Sequence, residues 1–161
     1  PQAILALESK VVDFAAVTSP LTIQKPLHKT HLASYREILI GGTKYKELAS
    51  QIRSLNDLSG IPVIGLADGT GTRELYHRYF LSHGLMFAPD MEAATTDQIL
   101  PMITHNLGIG FYPEELAAEA IARGSAYAIR LVEPIPEREI CLVTNSSTQM
   151  SAAVRKVISF L

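Results

Sequence analysis

Two short stretches carry the residue types best suited to hold a charged guest. The first is Thr95-Thr96-Asp97-Gln98, two hydroxyls and a carboxylate set before an apolar run that ends at Gly108-Ile109-Gly110-Phe111. A helix that starts there presents unpaired N–H groups and the positive end of its dipole, which favour a carboxylate, sulfate or phosphate. The Thr95 and Thr96 hydroxyls would add donors that rotate to suit the guest. The same spacing, Thr95-x-x-Gln98, fits a capping box in which these side chains serve the helix alone. The second stretch is Asp68-Gly69-Thr70-Gly71-Thr72-Arg73. Its glycines let the backbone turn tightly, Thr70 and Thr72 offer hydroxyls, and Arg73 falls in the first helical turn. A plain strand-to-helix turn accounts for those glycines equally well.

Other constellations offer less. Gly108-Ile109-Gly110-Phe111 enters a strand instead of leaving one, and neither G-x-G-x-x-G nor a P-loop lysine motif occurs, which argues against nucleotide binding. His28-x-x-His31 has ligand-like spacing but no nearby carboxylate or thiolate, so solvated loop histidines are expected and no metal. Cys141 is the only cysteine, which excludes an internal disulfide and a site of paired thiolates. Inside an apolar strand it reads as a small core residue with a suppressed thiolate. No G-x-S-x-G elbow occurs, no catalytic residue is assigned, and no cofactor is expected.

These residues need a scaffold, and hydrophobic periodicity supplies one. A helix end is expected over 3–10, a buried strand over 11–17, and an irregular stretch over 21–31. A strand over 35–40 and a helix over 45–53 follow. Strand 62–66 then leads through the Gly69–Gly71 turn into a helix with Leu75, Tyr76, Tyr79 and Phe80 at helical spacing, stopped by Gly84. Strand 86–91, helix 95–106, strand 108–112, helix 114–123 and strands 127–132 and 139–144 come next. The last helix, capped near Ser146 or Ser147, should bury Met150, Val154, Val157, Ile158 and Leu161. Strands alternating with helices imply parallel βαβ units and a three-layer α/β fold. Two anion-friendly helix starts would then lie at the carboxyl ends of strands, where open α/β sheets gather ligands.

The totals agree with a packed core. At 161 residues, 47% hydrophobic and 19% charged, the chain fits one domain or two small lobes. A net charge of -2 without a basic run makes it a poor binder of phosphate backbones. No apolar run reaches the roughly 18 residues that span a bilayer, and the start, PQAILALESK, has no secretory signal pattern, so a cytoplasmic protein is expected. Beginning on Pro1 within an apolar helical pattern, the chain reads as a piece of something longer.

In order, the motifs resemble those of LysR-type transcriptional regulators. Ala6 to Val17 (ALESKVVDFAAV) is similar to their helix and following strand, and Tyr35 to Gly42 (YREILIGG) looks like the strand crossing to their second lobe. LNDLSGIPVIGL, TTDQILPMITHNLGIGFYPEELA and EPIPEREICLVTNSSTQMSAAVRKVISFL match further segments in sequence, so the likeness covers nearly the whole chain. It implies an effector-binding domain with two Rossmann-like lobes, periplasmic-binding-protein-like (type 2), the first lobe incomplete. Residues 1–40 and 134–161 would form the first lobe and 41–133 the second.

The resemblance also implies a site. Effectors of such domains sit between the lobes, with Thr18 and Ser19 on the first-lobe side and Gly65, Leu66, Thr95, Thr96 and Phe111 on the second. Thr70, Thr72 and Arg73 are carried over from a loop that varies in the family, and Tyr112 stands beside the matched positions. The implied partners are a small anionic effector, further copies of the chain as a homodimer or tetramer, and DNA only through an N-terminal domain absent here; no membrane is implied. Asn106 stands where the family often has a small residue or Gly, Pro101 is unusual, and Cys141 alone argues against the peroxide-sensing branch. Two rival readings remain: a solute-binding receptor of a transporter, and a small α/β enzyme using Thr72 and Arg73.

Overall fold

The computed structural model describes residues 2–147, 150 and 152–160. In chain order the elements are α1 (Gln2–Glu8), β1 (Phe14–Thr18), β2 (Leu27–Tyr35), β3 (Glu37–Gly42), β4 (Val63–Leu66), α2 (Gly71–Ser82), β5 (Met91–Ala93) and α3 (Thr96–Thr104). They continue with β6 (Ile109–Pro113), α4 (Glu114–Ala122), β7 (Ala126–Ile129), β8 (Arg138–Asn145) and α5 (Ala152–Ile158). The chain forms two compact units, residues 1–34 with 138–161, and residues 35–137. The expected divisions at 40/41 and 133/134 differ because β3 pairs within the second sheet.

The second unit is built on a five-stranded sheet in the order β5-β4-β6-β3-β7. Its middle strands read as apolar runs (EILIGG, VIGL, IGFYP), as befits strands covered on both faces. Strands β5, β4 and β6 are parallel, with Ile64 opposite both Met91 and Gly110. The expected parallel βαβ units account for these three strands, while β3 runs antiparallel to β6 and β7.

Alternation along β6 sorts the core into two layers. Ile109 and Phe111 pack on the α2 side with Leu39, Leu58, Tyr76, Tyr79 and Phe80. Tyr112 packs on the other side with Ile40, Ile64, Leu66, Ile99, Ile103 and Ala117. Burying each large aliphatic side chain stabilises the fold by roughly 1.5–3 kcal/mol. Within the first layer Tyr76 stacks on Phe111 at 4.0 Å between ring centres, and its hydroxyl donates to the buried Glu37 carboxylate.

Residue 106 ties α3 to β3. Asn106 adopts φ 61°, which an Asn tolerates better than most residues. Its Oδ1 accepts the Lys44 N–H at 2.8 Å and its Nδ2 donates to Thr43 Oγ1 at 3.1 Å. A Cβ on Gly42 would lie 2.3 Å from the Ile103 carbonyl and 2.5 Å from Asn106 Oδ1, so only glycine lets the strand and helix end meet. Pro101 lies on the exposed side of α3 and removes a single helical donor.

The first unit holds a three-stranded sheet in the order β1-β8-β2, with Phe14 opposite Thr144 and Thr18 opposite Ile140 in antiparallel register. Leu7, Leu27 and Val143 form its small core. Cys141 is buried, and burial pushes its thiol pKa up, as the strand reading expected. On the surface the Lys29 ammonium contacts Glu139 at 3.0 Å and holds that carboxyl below its ordinary pKa.

Several expectations need correction. Residues 27–35 are a strand, so His28 and His31 lie on β2 instead of in an irregular stretch. Residues 45–53 are not a helix: short 3-10 turns occupy Thr43–Tyr45 and Leu48–Ser50. The expected strand 86–91 reduces to Met91–Ala93, and the first strand starts at Phe14. Met150, ahead of α5, and Val154 and Ile158 on it are only half-buried and Val157 is 49% exposed, so no buried stripe forms among the described residues. Leu161, like residues 148, 149 and 151 just before that helix, lies outside the described residues.

Candidate functional site

Three helices start at the carboxyl ends of the parallel strands of the second unit: α2 after β4, α3 after β5 and α4 after β6. Helix geometry leaves the first N–H groups of each without an intrahelical partner. How the neighbouring side chains treat those groups separates the three.

At α2 the groups are spoken for. The Thr70 hydroxyl donates to the Ala67 carbonyl at 3.0 Å and accepts the Arg73 N–H at 3.2 Å, so it is a working N-cap. The Arg73 guanidinium turns back on the scaffold. It donates to the Leu66 carbonyl at 3.3 Å, faces Glu92 at 3.5 Å, and lies 5.4 Å from the centre of the Phe87 ring. Thr72 is half-buried, and none of the hydrogen bonds among the described residues uses its hydroxyl. Helix α4 carries Glu114 and Glu115 in its first turn, and Glu114 pairs with Arg36 at 3.2 Å.

Helix α3 is different. Thr95 occupies the N-cap position with extended backbone (φ -138°, ψ 155°), yet its side chain makes no capping hydrogen bond. The expected Thr95–Gln98 capping box is therefore absent. Gln98 instead reaches back one residue further, its Oε1 accepting the Ala94 N–H at 2.9 Å, while the Gln98 N–H goes to the Thr95 carbonyl. The exposed Thr95 and half-buried Thr96 hydroxyls stay free of hydrogen bonds among the described residues. The Tyr112 ring lies in the core layer beneath α3. Burial, and then the negative charge of Asp97, raise its phenol pKa, so it stays a protonated donor at neutral pH.

The remaining expected site residues fall into separate groups. Leu66 points into the α3 layer and is a core residue. Phe111 points the other way, stacked on Tyr76, so it and Thr96 lie on opposite sides of the sheet. Gly65 shares the α2 side: a Cβ there would come within 2.5 Å of Pro89 Cγ and 3.3 Å of the Phe87 ring, so its face is filled by packing. In the first unit, Thr18 and Ser19 are organised by Arg138, a buried side chain that donates from Nη2 to Thr18 Oγ1 at 2.9 Å and to the Ser19 carbonyl at 2.8 Å. The Ser19 hydroxyl accepts the Glu139 N–H at 2.8 Å.

A family model described as the LysR substrate binding domain matches residues 1–161. The chain belongs to the LysR substrate binding domain family. This is a family of transcriptional regulators and not of enzymes. The LysR chain is 24% identical over 142 residues to the "Uncharacterized HTH-type transcriptional regulator YeiE" of Escherichia coli K12, covering 86% of this chain and 48% of that protein. It thus spans about half the length of the curated relatives it matches.

Among solved structures, the regulatory domain of CcmR from Synechocystis PCC6803 in complex with 2-PG gives a TM-score of 0.83 at 17% identity, over 99% of this chain and 76% of that one. The bromide ion-bound regulatory domain of HypT from Salmonella typhimurium gives 0.81 at 16% identity, over 99% and 75%. The LysR chain therefore has the mixed α/β, periplasmic-binding-protein-like fold of these domains.

Sequence reasoning left out Arg138, which orders the Thr18–Ser19 turn, and Glu37, which takes the Tyr76 hydroxyl. Arg138 opens an apolar strand, and a charge in that setting is the signal that it is buried with partners. Among the described residues no group of three or more His, Cys, Asp or Glu side chains could hold a metal ion, and no helix is long and apolar enough to cross a membrane.

Proposed function

We propose that this chain is the effector-sensing part of a LysR-type regulator and that the start of α3 takes the negatively charged group of a small molecule. The observation that carries the reading is the contrast between hydroxyls: Thr70 is consumed by its own helix, whereas Thr95 and Thr96 are free at an uncapped one. The first N–H groups of α3, the two hydroxyls and the protonated Tyr112 phenol below them are donors of the kind an oxyanion needs. Hydrogen bonds to a charged group contribute about 1.5–3 kcal/mol each, and three or four of them, less the several kcal/mol that association costs, give reversible binding in the micromolar to millimolar range. Asp97 in the same turn opposes an anion, but it is exposed and screened by salt.

The neighbours support an anion. CcmR is described with 2-PG and HypT with bromide, and both ligands carry negative charge. Binding without bond-making is the chemistry assigned. Occupancy stabilises one conformation of the domain over another, and this bias passes to the DNA-contacting part of the longer, cytoplasmic, oligomeric protein.

The test is a thermal-shift screen of small carboxylates, sulfate and aromatic acids against the wild-type chain and the Thr95→Val/Thr96→Val variant. At least one anion should raise the melting temperature of the wild type and leave the variant unmoved. Equal shifts in both would refute the assignment.

A further inference from the structure

We propose a second ligand site in the second unit, at the amino ends of its parallel strands, that takes a small apolar molecule bearing a protonated amine. A hollow of about 400 Å³ opens there, between the 3-10 turn Leu55–Leu58, the last turn of α2 and residues 85–90. That volume lies within the range of small-molecule sites, about 300–1,000 Å³. Strand β4 separates the hollow from the α3 start by its own length, four residues at about 3.3 Å each. The two sites therefore share no residue.

The walls explain the apolar half of the ligand. Leu58, Phe80 and Phe87 belong to the aromatic core layer, and the Phe80 and Phe87 rings lie 5.0 Å apart with their planes at 46°. They form a floor fixed by packing on its far side. Leu85 extends that floor, and Met86 stands at the rim with 80% of its surface exposed. An unbranched thioether in that place can fold over a guest without a defined shape of its own.

The charge of the guest follows from Asp90, the only ionisable residue among the described residues that line the hollow. Its place is fixed twice over: Oδ2 accepts the Val63 N–H at 2.9 Å, and the Asp90 N–H donates to the Val63 carbonyl at 2.9 Å. A carboxylate lining a hollow floored by the Phe80 and Phe87 rings attracts an ammonium group and repels an anion, most strongly at low salt because Asp90 is exposed. Its preference is thus opposite to that of the α3 start. Gly60 leaves open space on the same rim, with nothing within 4 Å of where a Cβ would lie.

The test titrates the 161-residue chain by amide NMR with phenethylamine and with its charge mirror, 3-phenylpropanoate. Phenethylamine should shift the amides of Gly60, Val63 and Met86 saturably, and the carboxylate should act on those three amides at least about tenfold more weakly, whatever it does at the α3 start. Asp90→Asn keeps an acceptor for the Val63 N–H and removes the charge, so it should weaken the amine by about tenfold without changing the fold. Ala88→Trp, which adds bulk to the wall of the hollow, should abolish the response. The proposal is overturned if both probes shift the amides of Gly60, Val63 and Met86 alike, if Asp90→Asn leaves the amine affinity unchanged, or if the phenethylamine shifts fall elsewhere. It is also overturned, in favour of a protein surface, if sedimentation shows self-association that Ala88→Trp removes while phenethylamine shifts nothing.

Discussion

The Thr70 hydroxyl accepts the Arg73 N–H at 3.2 Å and so closes the first turn of α2 from within the chain. No such bond closes α3, where Thr95 occupies the equivalent place. Thr70→Ala should therefore cost about 0.5–2 kcal/mol in urea denaturation and leave the response to anions unchanged. Thr96→Val should do the reverse, shifting stability by no more than about 0.5 kcal/mol while removing the anion response. Loss of both properties in either variant would show that the two threonines do not differ in role.

Asn106 combines a left-handed backbone with two side-chain bonds to the Thr43–Lys44 turn. Asn106→Ala loses both and should destabilise by about 1–3 kcal/mol. Asn106→Gly relieves the backbone but not the lost bonds, so its urea midpoint should fall between those of the wild type and the alanine variant. An alanine variant as stable as the wild type would contradict this.

The Tyr45 hydroxyl is buried and has no hydrogen-bond partner among the described residues. Removing a polar group that has given up water and gained no partner relieves its desolvation cost. Tyr45→Phe should raise stability by up to about 1 kcal/mol, read as a higher urea midpoint at unchanged slope. A clear loss of stability would mean that the hydroxyl has a partner.

Alkaline pH should unfold the protein through its tyrosines. Burial raises the Tyr79 phenol well above its ordinary value of 10.0, and the charge of Glu133 adds to the shift. Burial moves Tyr45 the same way, as do burial and Asp97 for Tyr112. A group whose folded pKa exceeds its unfolded one contributes stability that is fully present below the unfolded pKa and lost as pH rises through the folded one. Urea midpoints should stay level to about pH 8, dip slightly as the buried Cys141 thiol comes into play, and fall steeply beyond about pH 10, less so in Tyr79→Phe. A midpoint that climbs over that interval would reverse the sign of the argument.

Much of the second unit is legible in the sequence because its signals are local. Tyr76, Tyr79 and Phe80 repeat at helical spacing, Gly84 (φ 75°) ends α2 where the pattern stops, and the apolar runs VIGL and IGFYP are strands. What escaped depends on partners distant in the chain. Strand β2, LHKTHLASY, is mostly exposed and shows no alternation, so its pairing decides its structure. Residues 43–53 carry helix-forming side chains, yet only 3-10 turns form; Tyr45 is buried in the core, and the Arg53 N–H donates to the Arg130 carbonyl at 2.9 Å. For the site, types and spacing named the helix starts but not which hydroxyls the helices keep for themselves. Phe111 and Tyr112 are adjacent letters that face opposite layers, a distinction set by strand register.

The central claim is that the first turn of α3 holds a negatively charged group. It is tested most directly by titrating the ¹⁵N-labelled chain with 2-phosphoglycolate and following each amide. The largest saturable shifts should fall on Thr96 and Asp97 and vanish in Thr95→Val/Thr96→Val. Saturable shifts centred on Gly71 to Arg73, or shifts at Thr96 that persist in the double variant, would contradict it.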